Sequence, residues 1–211
     1  MRIDKSKMLL YAVTADEKSE EVLYDKVKMA LEGGVTILQL RAKNLGNEDF
    51  IKEAKVVKEL TKQYGIPFII NDNVDVAKTV DADGVHIGQD DMSITDARQI
   101  LGDDKIIGVS AHNVLEAVEA EKNGADYLGS GAVFVTETKK DVSNLSKEEL
   151  KRICESVSIP VVAIGGIGEH NAQLLEGTKI SGIAVSSAIF ASDDIDAACQ
   201  NLLSKINFAA N

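Results

Sequence analysis

Short apolar runs alternate with amphipathic stretches along the whole chain, and this alternation constrains the fold more than any single motif. The strand-like runs are residues 8–13, 35–40, 67–70, 84–87, 105–109, 127–129, 161–164 and 182–185, eight in all. Each precedes a helical pattern, at about residues 19–32, 47–64, 73–79, 93–101, 113–123, 146–156, 169–176 and 193–206. In the second of these, Phe50, Ala54, Val57, Leu60 and Tyr64 recur at three- and four-residue steps with Lys and Glu between them. Several patterns stop at glycine (Gly33-Gly34, Gly65, Gly102, Gly124, Gly177), the residue that closes a helix in a left-handed turn. Eight βα units allow an open doubly wound sheet or a closed (β/α)8 barrel. The count, the short loops and the lack of G-x-G-x-x-G after the first strand favour the (β/α)8 TIM barrel, as one domain over residues 1–211. At 211 residues there is little room for insertions.

Charge narrows the partners. Lys and Arg number 23 against 34 Asp and Glu, a net charge of −11, which argues against nucleic acid or anionic membrane as a charge-driven partner. A small anionic ligand is still allowed, because one rim can be locally positive. Cys154 and Cys199 fall inside predicted helices with no disulfide or zinc spacing, so both are expected as free thiols. The opening run MLLYAV is too short for a signal sequence, and no apolar stretch nears the roughly 20 residues of a membrane span. A cytoplasmic protein is expected, and exposed barrel helices allow a homodimer.

In a barrel, sites form on the loops that follow the strands. Strand two reads VTILQLRAK, and alternation puts Val35, Ile37, Gln39 and Arg41 on one side, with Lys43 beyond them. An Arg at the open end of an inward face suits an anion, since its planar fork matches phosphate. Strand three ends in Asn71-Asp72, and Asp90 and Asp91 follow strand four. Two carboxylates after adjacent strands suit Mg2+, which bridges carboxylates and substrate phosphates. Capping of the next helix by Asp90 or Asp91 is the plain alternative. Ser110 follows strand five, without the G-x-S-x-G elbow of a nucleophile. Asn113 suits a helix cap, His112 is a weak base candidate, and His86 inside strand four reads as structural. The longest loop, after strand six, carries Thr136, Glu137, Thr138 and Lys139-Lys140. Gly165-Gly166 and Ser186-Ser187 follow strands seven and eight, where such barrels hold a phosphate. Two anion sites and a metal suggest transfer involving a diphosphate.

The motifs QLRAK, Asn71-Asp72, DGVHIGQDD, GVSAH, TETKKD, GGIG and VSSAI, in this order, resemble the thiamine phosphate synthase family over nearly the whole chain. The chain departs from that family in lacking prolines before TETK; only Pro67 and Pro160 occur. The resemblance implies a (β/α)8 barrel that joins hydroxymethylpyrimidine diphosphate to hydroxyethylthiazole phosphate and releases diphosphate. It implies that Gln39, Leu40, Arg41, Ala42, Lys43, Asn71, Ser110 and Lys139 bind the pyrimidine diphosphate. Arg41, Lys43, Ser110 and Lys139 would be the catalytic group, and Asp72 and Asp91 would hold one Mg2+. Thr136, Glu137, Thr138, Gly166, Ser186 and Ser187 would take the thiazole phosphate. The family chemistry is dissociative: diphosphate departs, then the thiazole nitrogen attacks the pyrimidine methylene cation. Rival readings are a thiazole tautomerase relative, a sugar-phosphate isomerase or epimerase, and a non-catalytic phosphate sensor. The basic residues and paired carboxylates favour the synthase, since a tautomerase has no diphosphate to hold.

Overall fold

The structure, a computed structural model, describes residues 3–134 and 145–210. Eight parallel strands close a barrel in chain order: β1 (Leu10–Val13), β2 (Ile37–Leu40), β3 (Phe68–Asn71), β4 (Gly84–Ile87), β5 (Ile106–Ala111), β6 (Tyr127–Gly131), β7 (Val161–Ile164) and β8 (Gly182–Val185). β8 returns to pair with β1, Tyr11 opposite Ala184. The helices are α1 (Glu20–Glu32), α2 (Asn47–Tyr64), α3 (Val74–Thr79), α4 (Ile94–Leu101), α5 (Val114–Lys122), α6 (Lys147–Ser156), the short α7 (Ser187–Phe190) and α8 (Ile195–Lys205). The expected (β/α)8 barrel is therefore the observed one. No helix among the described residues is long and apolar enough to cross a membrane.

Strand alternation sorts the side chains into two cores. Tyr11, Val13, Ile37, Ile69, Ile106, Tyr127, Val162 and Ala184 pack together inside the barrel, with Ile3 and Met8 at its floor. Their strand neighbours Leu10, Leu38, Leu40, Phe68, Ile70, Val85, Ile107, Val109, Leu128 and Ile183 face outward against the helices. On α2 the buried stripe is Phe50, Ala54, Val57 and Leu60, each large member contributing about 1.5–3 kcal/mol by burial. Tyr64, read as part of that stripe, is exposed and donates its hydroxyl to Glu32 Oε1 at 3.1 Å. Gly65 ends the helix at φ 65°, the left-handed conformation that costs other residues more. Ser19, Asn73, Ser93, Asn113, Ser146 and Asp194 cap their helices by accepting a first-turn amide.

Several boundaries differ from expectation. Met8 lies in a 3-10 turn (Lys5–Met8) rather than in β1. Val35 precedes β2 and packs in the outer core, so alternation reaches back only to Ile37. β5 runs through Ala111 because Ser110 and Ala111 still pair with Gly129 and Ser130; Ser110 is inside the strand, not after it. A polar side chain there marks the barrel mouth, not the end of the ladder. After β7 the expected helix is a single 3-10 turn, Ala172–Leu175, because Asn171 is tied back to the preceding loop: it accepts from Gly168 N–H at 2.8 Å and donates to Gly166 O at 2.9 Å. Ser93, and neither Asp90 nor Asp91, caps α4.

Candidate active site

At the carboxyl ends of the strands the inward positions turn polar, and on β2 they converge on the mouth. Gln39 is buried within the barrel, and Arg41 and Lys43 follow at two-residue steps. Thr14, 1% exposed, ties the loop after β1 to this segment: Arg41 N–H donates to Thr14 Oγ1 at 2.9 Å, and Thr14 Oγ1 donates to Arg41 O at 3.3 Å. The backbone is thus held while the Arg41 guanidinium makes no hydrogen bond to a described residue. Leu40 and Ala42, expected in the ligand-binding run, pack their side chains in the outer core. They offer a ligand only their backbone.

The acidic pair lies beside Lys43. Lys43 Nζ is 3.8 Å from Asp72 Oδ2. Asp72 has φ 60°, and its N–H continues the ladder to His86 O at 2.8 Å, which turns its carboxyl out of β3 at the rim. Asp91 Oδ2 accepts Gly88 N–H at 2.6 Å, so the loop after β4 folds its carboxylate back over the strand end. Burial holds the Asp72 carboxyl above its ordinary 3.8, and the neighbouring Asp91 pushes the same way; Lys43 and the Asn71 amide oppose them weakly. That like-charge repulsion is what a bound cation relieves. Among the described residues no group of three or more His, Cys, Asp and Glu side chains converges for a metal. Two hard carboxylates alone fit a Mg2+, whose remaining ligands would have to be water and phosphate oxygens.

Beneath the rim, polar side chains form a connected floor. Gln39 Nε2 donates to Tyr11 Oη at 2.8 Å, and Tyr11 Oη lies 2.7 Å from Tyr127 Oη. Tyr127 Oη is 3.0 Å from His86 Nδ1, and His86 Nε2 is 3.1 Å from Ser110 Oγ. Burial pushes both phenols up, so each keeps its proton. Glycines make room for these rings. A Cβ on Gly108 would stand 2.0 Å from Tyr127 Cζ, and one on Gly129 would stand 3.0 Å from His86 Cε1. Tyr11, Tyr127, Thr14 and these glycines were not singled out from sequence. The available signal was glycine on the inward phase of GVS and YLGSG, at Gly108 and Gly129, which marks close approach. His112 is paired with Glu116 at the head of α5, Nδ1 to Oε2 at 2.9 Å, and not with the floor.

Loops seven and eight close the far side. Gly165 and Gly166 have φ of 101° and 61°. A Cβ on Gly165 would stand 2.5 Å from Ala132 Cβ, because the chain leaving β6 runs alongside: Val133 N–H donates to Ile164 O at 3.0 Å and Phe134 N–H to Gly165 O at 3.1 Å. Ser186 and Ser187 begin α7, Ser186 half-buried and Ser187 exposed, at the same edge. Ile164, with 36% of its surface exposed, offers an apolar wall. Thr136, Glu137, Thr138 and Lys139 lie outside the described residues. The structure thus brings Gln39, Arg41, Lys43, Asn71, Asp72, Asp91, Ser110, Gly166, Ser186 and Ser187 to one end of the barrel.

Known proteins are similar to this chain in both sequence and fold. A family model for thiamine monophosphate synthase matches residues 10–189. The thiamine-phosphate synthase of Clostridium acetobutylicum is 52% identical over 88% of this chain and 89% of its own. That of Methanobrevibacter smithii is 48% identical over 92% and 93%. The solved thiamine phosphate pyrophosphorylase from Pyrococcus furiosus superposes with a TM-score of 0.89 at 40% identity, covering 98% of this chain and 99% of that one. The chain belongs to the thiamine monophosphate synthase family.

Proposed function

We propose that the protein is a thiamine phosphate synthase, which couples hydroxymethylpyrimidine diphosphate with hydroxyethylthiazole phosphate to give thiamine monophosphate and diphosphate. The observation that carries the reading is the meeting of Lys43, Asp72 and Asp91 at one rim, above a floor that ends in Gln39 and Ser110. Family membership and the names of its relatives support the same reaction. Arg41, Lys43 and Lys139 hold the diphosphate and stabilise the charge that grows as it leaves. Gln39, Asn71 and Ser110 orient the pyrimidine, with the backbone of Leu40 and Ala42 beside them. Gly166, Ser186 and Ser187, with Thr136, Glu137 and Thr138, hold the thiazole phosphate so that the ring nitrogen faces the methylene carbon. Asp72 and Asp91 would hold one Mg2+, which when bound would help neutralise the charge of the leaving diphosphate. No nucleophilic side chain is needed, because the second substrate is the nucleophile. We assign the reaction to the cytoplasm, and the free thiols of Cys154 and Cys199 support that reading. An isomerase or epimerase would use the carboxylates as an acid–base pair, whereas here they share one rim with a lysine. The test is diphosphate release with both substrates, with and without EDTA. Release that needs both substrates and stops in EDTA is expected; full activity in EDTA would remove the metal from the reading.

A further inference from the structure

Each phenol in the barrel floor has one proton to place. Tyr11 is 1% exposed, and among the described residues its Oη meets only Gln39 Nε2 and Tyr127 Oη. The amide nitrogen is a donor, so the Tyr11 proton goes to Tyr127. Tyr127 Oη accepts it, and its own proton then has one acceptor within reach among the described residues, His86 Nδ1. An imidazole that accepts at Nδ1 carries its proton on Nε2 and donates it to Ser110 Oγ. The Ser110 proton is thereby left to point out of the chain and into the mouth.

We infer that Tyr11, Tyr127 and His86 are positioning residues that fix the hydrogen-bond polarity of the site, making Ser110 an obligate donor toward an acceptor atom of the pyrimidine diphosphate. The inference rests on the synthase reading above and extends it to three residues that this reading gives no role. The rings are held in this order by the glycines beside them, since a Cβ on Gly108 would displace Tyr127 and one on Gly129 would press on His86. The opposite polarity requires the Gln39 amide turned over. Tyr11 would then donate to Oε1, His86 Nδ1–H to Tyr127, and Ser110 to Nε2, leaving Ser110 to accept from the ligand. The two arrangements differ in one observable, the imidazole nitrogen that carries the proton.

That observable is read by nitrogen-15 NMR of the whole protein labelled at histidine, without substrates. The His86 signals are assigned by their loss in His86→Asn. A protonated Nε2 with a pyridine-like Nδ1 is expected; a protonated Nδ1 overturns the inference. Tyr127→Phe removes the donor to Nδ1. It is expected to mix the tautomers and to raise KM for the pyrimidine diphosphate about three- to tenfold, the worth of one hydrogen bond. The turnover number should stay within about twofold, because the lost interaction acts on binding. A variant with the parent's tautomer and KM overturns the inference. The synthase reading fails separately: a protein with His86 protonated at Nε2 that forms no coupled product keeps its polarity and loses that activity.

Discussion

Replacing Lys43 with alanine separates the two roles this cation can have. Its Nζ stands 3.8 Å from Asp72 Oδ2, with the two side chains 48% and 36% exposed. Unit charges at such a separation attract by about 1 kcal/mol in water and about 4 kcal/mol at an effective dielectric near 20. Exposure this high puts the pair near the watery limit, and exposed pairs contribute about 0.2–1 kcal/mol when measured. Lys43→Ala should therefore cost no more than about 1 kcal/mol of stability, a fall in Tm of roughly 2–4 °C for a chain of this size. If Lys43 meets charge developing on a departing diphosphate, its loss should cut kcat/KM by about 10²–10³, the usual effect of removing one such donor. The assays are urea unfolding in EDTA and diphosphate release at saturating thiazole phosphate. A kcat/KM within about threefold of the parent, or some 0.6 kcal/mol, would refute the reasoning. So would a stability loss above about 3 kcal/mol, which would make Lys43 part of the fold's support.

Three further outcomes are expected. Burial, and after it Asp91, holds the Asp72 carboxyl above its ordinary 3.8. Between that value and the raised one the folded chain keeps a proton that the unfolded chain releases. The group's stabilising contribution is therefore full below 3.8 and is lost as pH rises through the raised value. In EDTA at pH 7, Asp72→Asn should resist urea at least as well as the parent, whereas in Mg2+ it should lose coupling that the parent keeps; an equal drop in midpoint at pH 3 and pH 7 would contradict this. Lys139→Ala should cut turnover far more than thiazole phosphate binding measured by calorimetry, and equal losses would assign Lys139 to the other ligand. Arg98 Nη2 holds Asp126 Oδ2 at 2.7 Å, with the Asp126 side chain 10% exposed. Asp126 Oδ2 also accepts Ile107 N–H at 2.9 Å. Arg98→Ala should destabilise by about 3–5 kcal/mol by removing the charge partner of that carboxylate, and a loss below about 1 kcal/mol would show that the Ile107 amide suffices to hold it.

Much of the barrel was legible because its two faces have different chemistry. Period-2 alternation in VTILQLR separates Leu38 and Leu40, outside, from Ile37 and Gln39, inside, and glycine stops and Ser or Asn caps mark the helix ends. The rim residues were legible for the same reason: polar residues on an inward phase are costly to bury and so signal the mouth. Strand length was less legible, because Ser110 is polar yet still laddered to Gly129. The helix after β7 was misread because the tie from Asn171 to loop seven leaves only one 3-10 turn. The floor network was hidden because Tyr11 sits in an apolar run, and its partner Tyr127 is 116 positions away across the barrel. Periodicity gives the face of a strand, but not which residues on opposite strands share a level.

The central claim is coupling of two phosphorylated heterocycles at this rim. The most direct measurement is formation of thiamine monophosphate by the purified chain from hydroxymethylpyrimidine diphosphate and hydroxyethylthiazole phosphate in Mg2+, with diphosphate followed in parallel. Equal amounts of thiamine monophosphate and diphosphate, formed only when both substrates are present, are the predicted result. No coupled product from a folded protein that binds either substrate would contradict the account.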